Sequence, residues 1–272
     1  MAKKAGPKKK KVLDRLPNAP LAEVVFELRW KLQGALPIIT DPGIHPLLAA
    51  FTPRAAKAGF PLIKDMARPE EIVGHSVCRR YFTAPDASFP ILQIGPGVFA
   101  SNQSSEYTWA SFRAQTLRGL KILLDSYPTL QGFPFEPVHL ELRYIDVFDE
   151  SLLNTLDFLE FANAGTHLSL QVSESLFPTG VFESQSEGRV QIQRPLKRGG
   201  LFLVDLASAQ LNVPNGKTAL RLESKVMLRD NIPKFRGARF LSQVEEWLES
   251  AHNVTSPFFK RFMRPAVLEK FN

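Results

Sequence analysis

Two stretches of this chain carry the same acid–base spacing. Glu27-Leu28-Arg29 and Glu141-Leu142-Arg143 lie 114 positions apart, and Trp30 and Tyr144 follow them in turn. Each sits in a run with strand alternation. In 22–30, Val24, Phe26, Leu28 and Trp30 share one face while Glu23, Val25, Glu27 and Arg29 share the other. In 138–148, Val138, Leu140, Leu142, Tyr144 and Phe148 share a face. Glu27, Arg29, Glu141 and Arg143 therefore lie on the faces away from the apolar ones. If the two strands are neighbours, these four form a cross-strand charge ladder. The alternative is a polar floor for an acidic ligand, with Arg143 as the bidentate donor.

Three further polar groups stand in apolar surroundings. Asp146 falls on the Leu140/Leu142/Tyr144 face. Asp205 follows the apolar run Leu201 to Val204. Gln93 interrupts Ile91, Leu92 and Ile94, either as an amide bonded to neighbouring backbone or as a pocket-lining group. Gln93, Asn102, Arg143 and Asp146 are the candidate ligand-binding residues.

Local catalytic and metal signatures are missing. Gly216-Lys217-Thr218 resembles the end of a phosphate-binding loop, but Leu211 stands where its upstream glycine belongs, and a strand rather than a helix follows. There is no G-x-G-x-x-G and no G-x-S-x-G. The five histidines are scattered and Cys78 is the only cysteine, which speaks against a local metal pair, a thiolate zinc site and an intrachain disulfide. No catalytic residue, metal ligand or cofactor is assigned.

The elements that must position these groups read as an α+β fold. From 89 the chain runs through an apolar strand, a Gly95-Pro96-Gly97 break and a polar elbow into a long helix over 107–127. Pro96 and Gly97 suit the two central positions of a type II turn, or else a bulged edge strand. Residues 102–105 offer N-cap candidates. Asp41-Pro42 opens an earlier helix that Pro53 should end or kink near Thr52. Ile72 to Phe82 reads as a strand. After 148 come a helix over 152–162, strands near 167–177, 189–194, 200–206 and 217–228 with Asn215-Gly216 as a hairpin turn, and a helix over 238–251. Past His252 an aromatic-rich tail follows, with Pro265 interrupting any helix, either docked on the body or offered to a partner. Each half reads strand, helix, several strands, helix. The expected organisation is a basic tail over 1–17 and two α+β halves, 18–134 and 135–272. These are mostly antiparallel, pack as one unit, and are read as a duplicated β-α-β-β unit with extra strands in the second half.

Charge is unevenly spread. Of the net +7, six positives come from lysines between Lys3 and Lys11, before the first acid, Asp14. The body is near neutral. The arm, with Lys8, Lys9, Lys10 and Lys11 at its centre, is either a solubilising tail or a weak, salt-dependent nucleic-acid contact. No apolar run approaches a bilayer span, and no apolar segment follows the basic N-terminus. The expected location is cytoplasmic, with no membrane association.

A group of motifs carries a resemblance. Residues 19–26 (APLAEVVF), 92–98 (LQIGPGV), Asn102-Gln103, Tyr107-Thr108-Trp109, Phe112 and 142–146 (LRYID) resemble an uncharacterised, sporadically distributed family of microbial proteins. The likeness covers most of the chain after about 18; the lysine arm lies outside it. It implies a cytosolic protein with no established activity, cofactor or catalytic residues, and its distribution points towards mobile-element or defence genes. The function expected is a non-enzymatic binding module acting with a protein partner or small ligand. The alternatives are nucleic-acid association through the lysine arm, and an enzyme whose cleft gathers Gln93, Arg143 and Asp146.

Overall fold

Alternating apolar residues make Leu21–Trp30 a strand, β1, that buries Val24, Phe26, Leu28 and Trp30 against helices. A computed structural model of the protein describes residues 19–32, 43–66, 78–104, 106–128, 134–153, 156–173, 186–197, 199–210, 218–229, 232 and 238–271. The lysine arm, Asp41-Pro42 and Asn215-Gly216 lie outside the described residues.

After β1 the order is α1 (Ile44–Lys57), β2 (Leu62–Met66), β3 (Cys78–Phe82), β4 (Ile91–Gly95), β5 (Val98–Gln103) and α2 (Trp109–Ser126). The second half runs β6 (Pro137–Phe148), the short α3 (Phe158–Glu160), β7 (Arg189–Pro195), β8 (Leu201–Gln210), β9 (Thr218–Leu228), α4 (Ala238–Phe262) and α5 (Pro265–Leu268). All nine strands form one sheet, ordered β2-β3-β4-β5-β1-β6-β9-β8-β7, with every pairing antiparallel. The fold is α+β.

The two halves meet through β1 and β6, and in each the last strand lies beside the first: β5 beside β1, β9 beside β6. Among the described residues the first half has five strands and the second four, so the extra strand falls in the first half and not the second. In the β1–β6 register Glu27 faces Glu141. The two Glu-Leu-Arg triplets thus cross at their own glutamates, in the middle of the sheet.

The helices pack on one face. Phe51 of α1 meets Tyr81 and Phe99, Trp247 of α4 meets Phe26, and Phe258 of α4 meets Phe202. Gly119 of α2 lies so close to the sheet that a Cβ there would come 2.7 Å from the Phe99 ring and 2.9 Å from Leu92. Pro96-Gly97 closes the β4–β5 hairpin, with Gly97 at φ +68°, the positive value that a type II turn requires at its third position.

Several expected boundaries are corrected. Helix α1 passes through Pro53 to Lys57. Thr52 Oγ1 donates to Leu48 O and Arg54 Nη1 to Ala50 O, so side chains bond the carbonyls on either side of Ala49, whose own i+4 donor the proline removes, while Leu47, Leu48, Phe51 and Ala55 stay buried. The cap of α2 is Thr108, whose hydroxyl accepts from Ser111 N at 3.2 Å, whereas Asn102 and Gln103 belong to β5. The helix expected over 152–162 is only α3 followed by a π-turn over Phe161–Gly165. No strand forms over 167–173, because Asn163 serves the backbone there: its amide donates to Leu170 O and its carbonyl accepts from Leu170 N. The strand expected over 72–82 is described only from Cys78, and β2 was not expected at all. Helix α4 runs past Ala251, through Pro257, to Phe262, and Pro265 starts α5 rather than ending a helix.

Candidate functional site

The sheet face away from the helices is the chemically dense surface. Glu27, Arg29, His139, Glu141, Arg143, Glu223 and Lys225 all project there, since their strand neighbours Leu28, Leu140, Leu142, Ser224 and Val226 are buried among the helices. The acid–base spacing of the two triplets recurs in β9 as Glu223-Ser224-Lys225. Each acid pairs with the base two residues on: Arg29 Nε to Glu27 Oε1 at 2.6 Å, Arg143 Nε to Glu141 Oε1 at 3.2 Å, and Lys225 Nζ to Glu223 Oε1 at 2.9 Å.

Within the three triplets the ion pairs therefore run along the strands and not across them. Across the sheet, like faces like: Glu27 opposite Glu141, Arg143 opposite Lys225, Asp205 opposite Glu223. The register forces this, because antiparallel strands whose triplets cross at their glutamates cannot set acid against base. Burial pushes the Glu141 carboxyl up, but the bond from His139 and the charges of Arg143 and Lys225 outweigh it and hold the group below the usual carboxylate range. Asp205 ends no strand; it sits mid-β8 at 3% exposure, gripped by Arg189 through Nε (2.8 Å) and Nη2 (2.7 Å) and approached by Arg221 at 3.3 Å.

A shallow cavity of about 480 Å³ opens at the centre of this face, lined by Glu27, Arg29, His139, Glu141, Arg143 and Lys225, with Arg229 at its edge. Its cations outnumber its carboxylates. No hydrogen bond among the described residues uses the Arg143 guanidinium, so its contact with Glu141 is one of charge alone.

The expected ligand residues divide between faces. Arg143, Gln93 and Asn102 share the charged face. Gln93 is three strands away from Arg143 and accepts from Arg80 Nε at 3.1 Å, while Asn102 Nδ2 donates to Glu23 Oε1 at 2.5 Å. Asp146 lies on the helix face, opposite Leu222 and Leu21, and does not meet them. Burial pushes its carboxyl up to about 7.

The helix face holds a polar chain of its own. Tyr107 OH bonds Tyr144 OH at 2.9 Å, and Tyr144 OH bonds His252 Nδ1 at 2.8 Å. Trp109 stacks on His252 with centroids 4.0 Å apart, and its Nε1 donates to Glu249 at 3.2 Å. Arg113 pairs with Glu245 and Glu249. This chain ties α2 and α4 to β6. Sequence spacing could not reveal it, because its members are brought together from three elements. Glu223-Ser224-Lys225 was not read from the sequence, although its acid-x-base spacing is the signal that would have found it.

Among the described residues no group of three His, Cys, Asp or Glu side chains is placed to hold a metal ion, and no helix is long and apolar enough to cross a membrane. No family model matches the chain, and no curated protein matches it.

Proposed function

We propose that the protein is a non-enzymatic binding module that engages a protein partner through the charged face of its sheet. The observation that carries this reading is the central surface of β1, β6 and β9, where half-buried Glu27 and buried Glu141 and Glu223 are each matched to a base along their own strand. Such a surface is ordered before any partner arrives, so little side-chain entropy is lost on docking. Its cavity is shallow and cation-rich, suited to an acidic patch and not to enclosing a reacting molecule. The two halves are read as a duplicated unit. The shared strand order and the crossing of the triplets at Glu27 and Glu141 support that origin, and it would place the contact surface on an approximate twofold axis. The likeness to an uncharacterised microbial family brings no established activity to set against this reading.

Arg29 and Arg229 are exposed on this face, so their reversal leaves the core untouched. A tagged chain purified from its native cells is expected to retain one stoichiometric protein. Arg29→Glu with Arg229→Glu should weaken that complex by about tenfold or more, while Lys121→Glu on the helix side should not. Equal retention by all three chains, or a purified protein that turns over a substrate without a partner, would reject the reading.

A further inference from the structure

A second opening lies on the same face near the β2 edge, a groove of about 670 Å³ between β2, β3, β4 and the 84–89 loop. Two cross-strand rows form its floor. Leu62, Phe82 and Ile91 make one row, being paired in register across β2, β3 and β4. Lys64 and Arg80 make the other, two residues further along the strands, and Gln93 of β4 continues that row outside the groove's lining. Phe89 walls the apolar end.

The polar row differs from the acid–base triplets at the centre of this face. Lys64 and Arg80 stand directly opposite each other, an arrangement that destabilises a bare strand pair. At the centre of the sheet such like pairs are relieved by acids on the same strands. Here they are not: among the described residues neither cation has an ion pair, and Arg80 bonds only the neutral Gln93 amide through Nε. Among the described residues the one carboxylate lining the groove, Asp86, is exposed and pairs with neither. Among the described residues this Lys–Arg pair, beside an apolar shelf, has no acid to neutralise it.

We infer that this groove binds a small molecule carrying one phosphate or carboxylate on an aromatic body. The rows lie roughly 7 Å apart, two residues of strand. That distance lets a ring rest on Phe82 and Leu62 while its anionic group reaches Lys64 and the free side of the Arg80 guanidinium. The volume falls within the roughly 300 to 1,000 Å³ typical of ligand sites. Both contributions are needed. A bare anion gains nothing from the shelf, and a neutral aromatic leaves the two cations facing each other.

The test is calorimetric titration of the full chain with 1-naphthyl phosphate, 1-naphthoate, inorganic phosphate and 1-naphthol. At least one of the two aromatic anions should bind, and whichever binds more tightly names the head group. Inorganic phosphate and 1-naphthol should each bind it at least about tenfold more weakly, and raised salt should weaken it. Lys64→Gln, on an exposed edge strand, should reduce affinity about tenfold; Arg80→Gln should do likewise, and Lys121→Gln, on the helix side, should change nothing. Naphthol binding as well as the anions, neither anion binding, or Lys64→Gln leaving affinity intact would overturn the inference. None of these outcomes depends on whether a protein docks at the sheet centre.

Discussion

Asp146 is the residue whose position most directly sets a measurable property. Burial alone lifts its carboxyl from 3.8 to about 7, and no hydrogen bond from a described residue reaches it. Between those values the folded chain keeps a proton that the unfolded chain releases. The folded state thus binds more protons, so this group makes stability fall as pH rises through the window, and the loss is complete above about 7. Asp146→Asn removes the ionisation while keeping the shape. It should raise the unfolding free energy by about 1 to 3 kcal/mol at pH 8 and change it little at pH 4. Urea denaturation of both chains at the two pH values reads the difference, and a variant weaker than the parent at pH 8 would refute the assignment. Two positions away, burial raises the Tyr144 hydroxyl well above its ordinary range, with the neighbouring Tyr107 adding to the effect. It stays neutral, able to bond both Tyr107 and His252.

At the scale of elements, close approach decides which residue types a helix tolerates. Helix α2 rests on β4 and β5 at Gly119, where a Cβ would press on Phe99 and Leu92, both fully buried. Gly119→Val should therefore cost about 1 to 3 kcal/mol, even though glycine is the poorer helix former. Thermal unfolding of the variant checks this, and an unchanged or raised midpoint would show that the contact can relax. Helix α1 shows the opposite balance, since burial of four apolar side chains carries it through Pro53.

For the whole molecule, the β1–β6 pair is the seam between the halves and lies at the middle of one continuous sheet. Expressing 18–134 or 135–272 alone would leave a long central strand with an unpaired edge and one side of the helix layer uncovered. The intact chain should unfold in one coincident transition by far-UV dichroism and tryptophan fluorescence, and each half should be aggregated or unfolded. A half that melts cooperatively by itself would show that the seam is a domain boundary.

Periodicity along the chain was enough to determine the α+β class, the helix that follows the Gly95-Pro96-Gly97 hairpin, the faces of β1 and β6, and the placing of Asp146 among apolar residues. These are local properties: a two-residue or 3.6-residue repeat is written into consecutive side chains. What only tertiary structure decided was register and neighbourhood. Whether Glu27 would face Arg143 or Glu141, and whether Gln93 and Asp146 would share a pocket or occupy opposite faces, depends on how distant strands slide past one another. So does the meeting of Lys64 with Arg80, because strand pairing is fixed by burial across the whole sheet and leaves no mark in either segment alone.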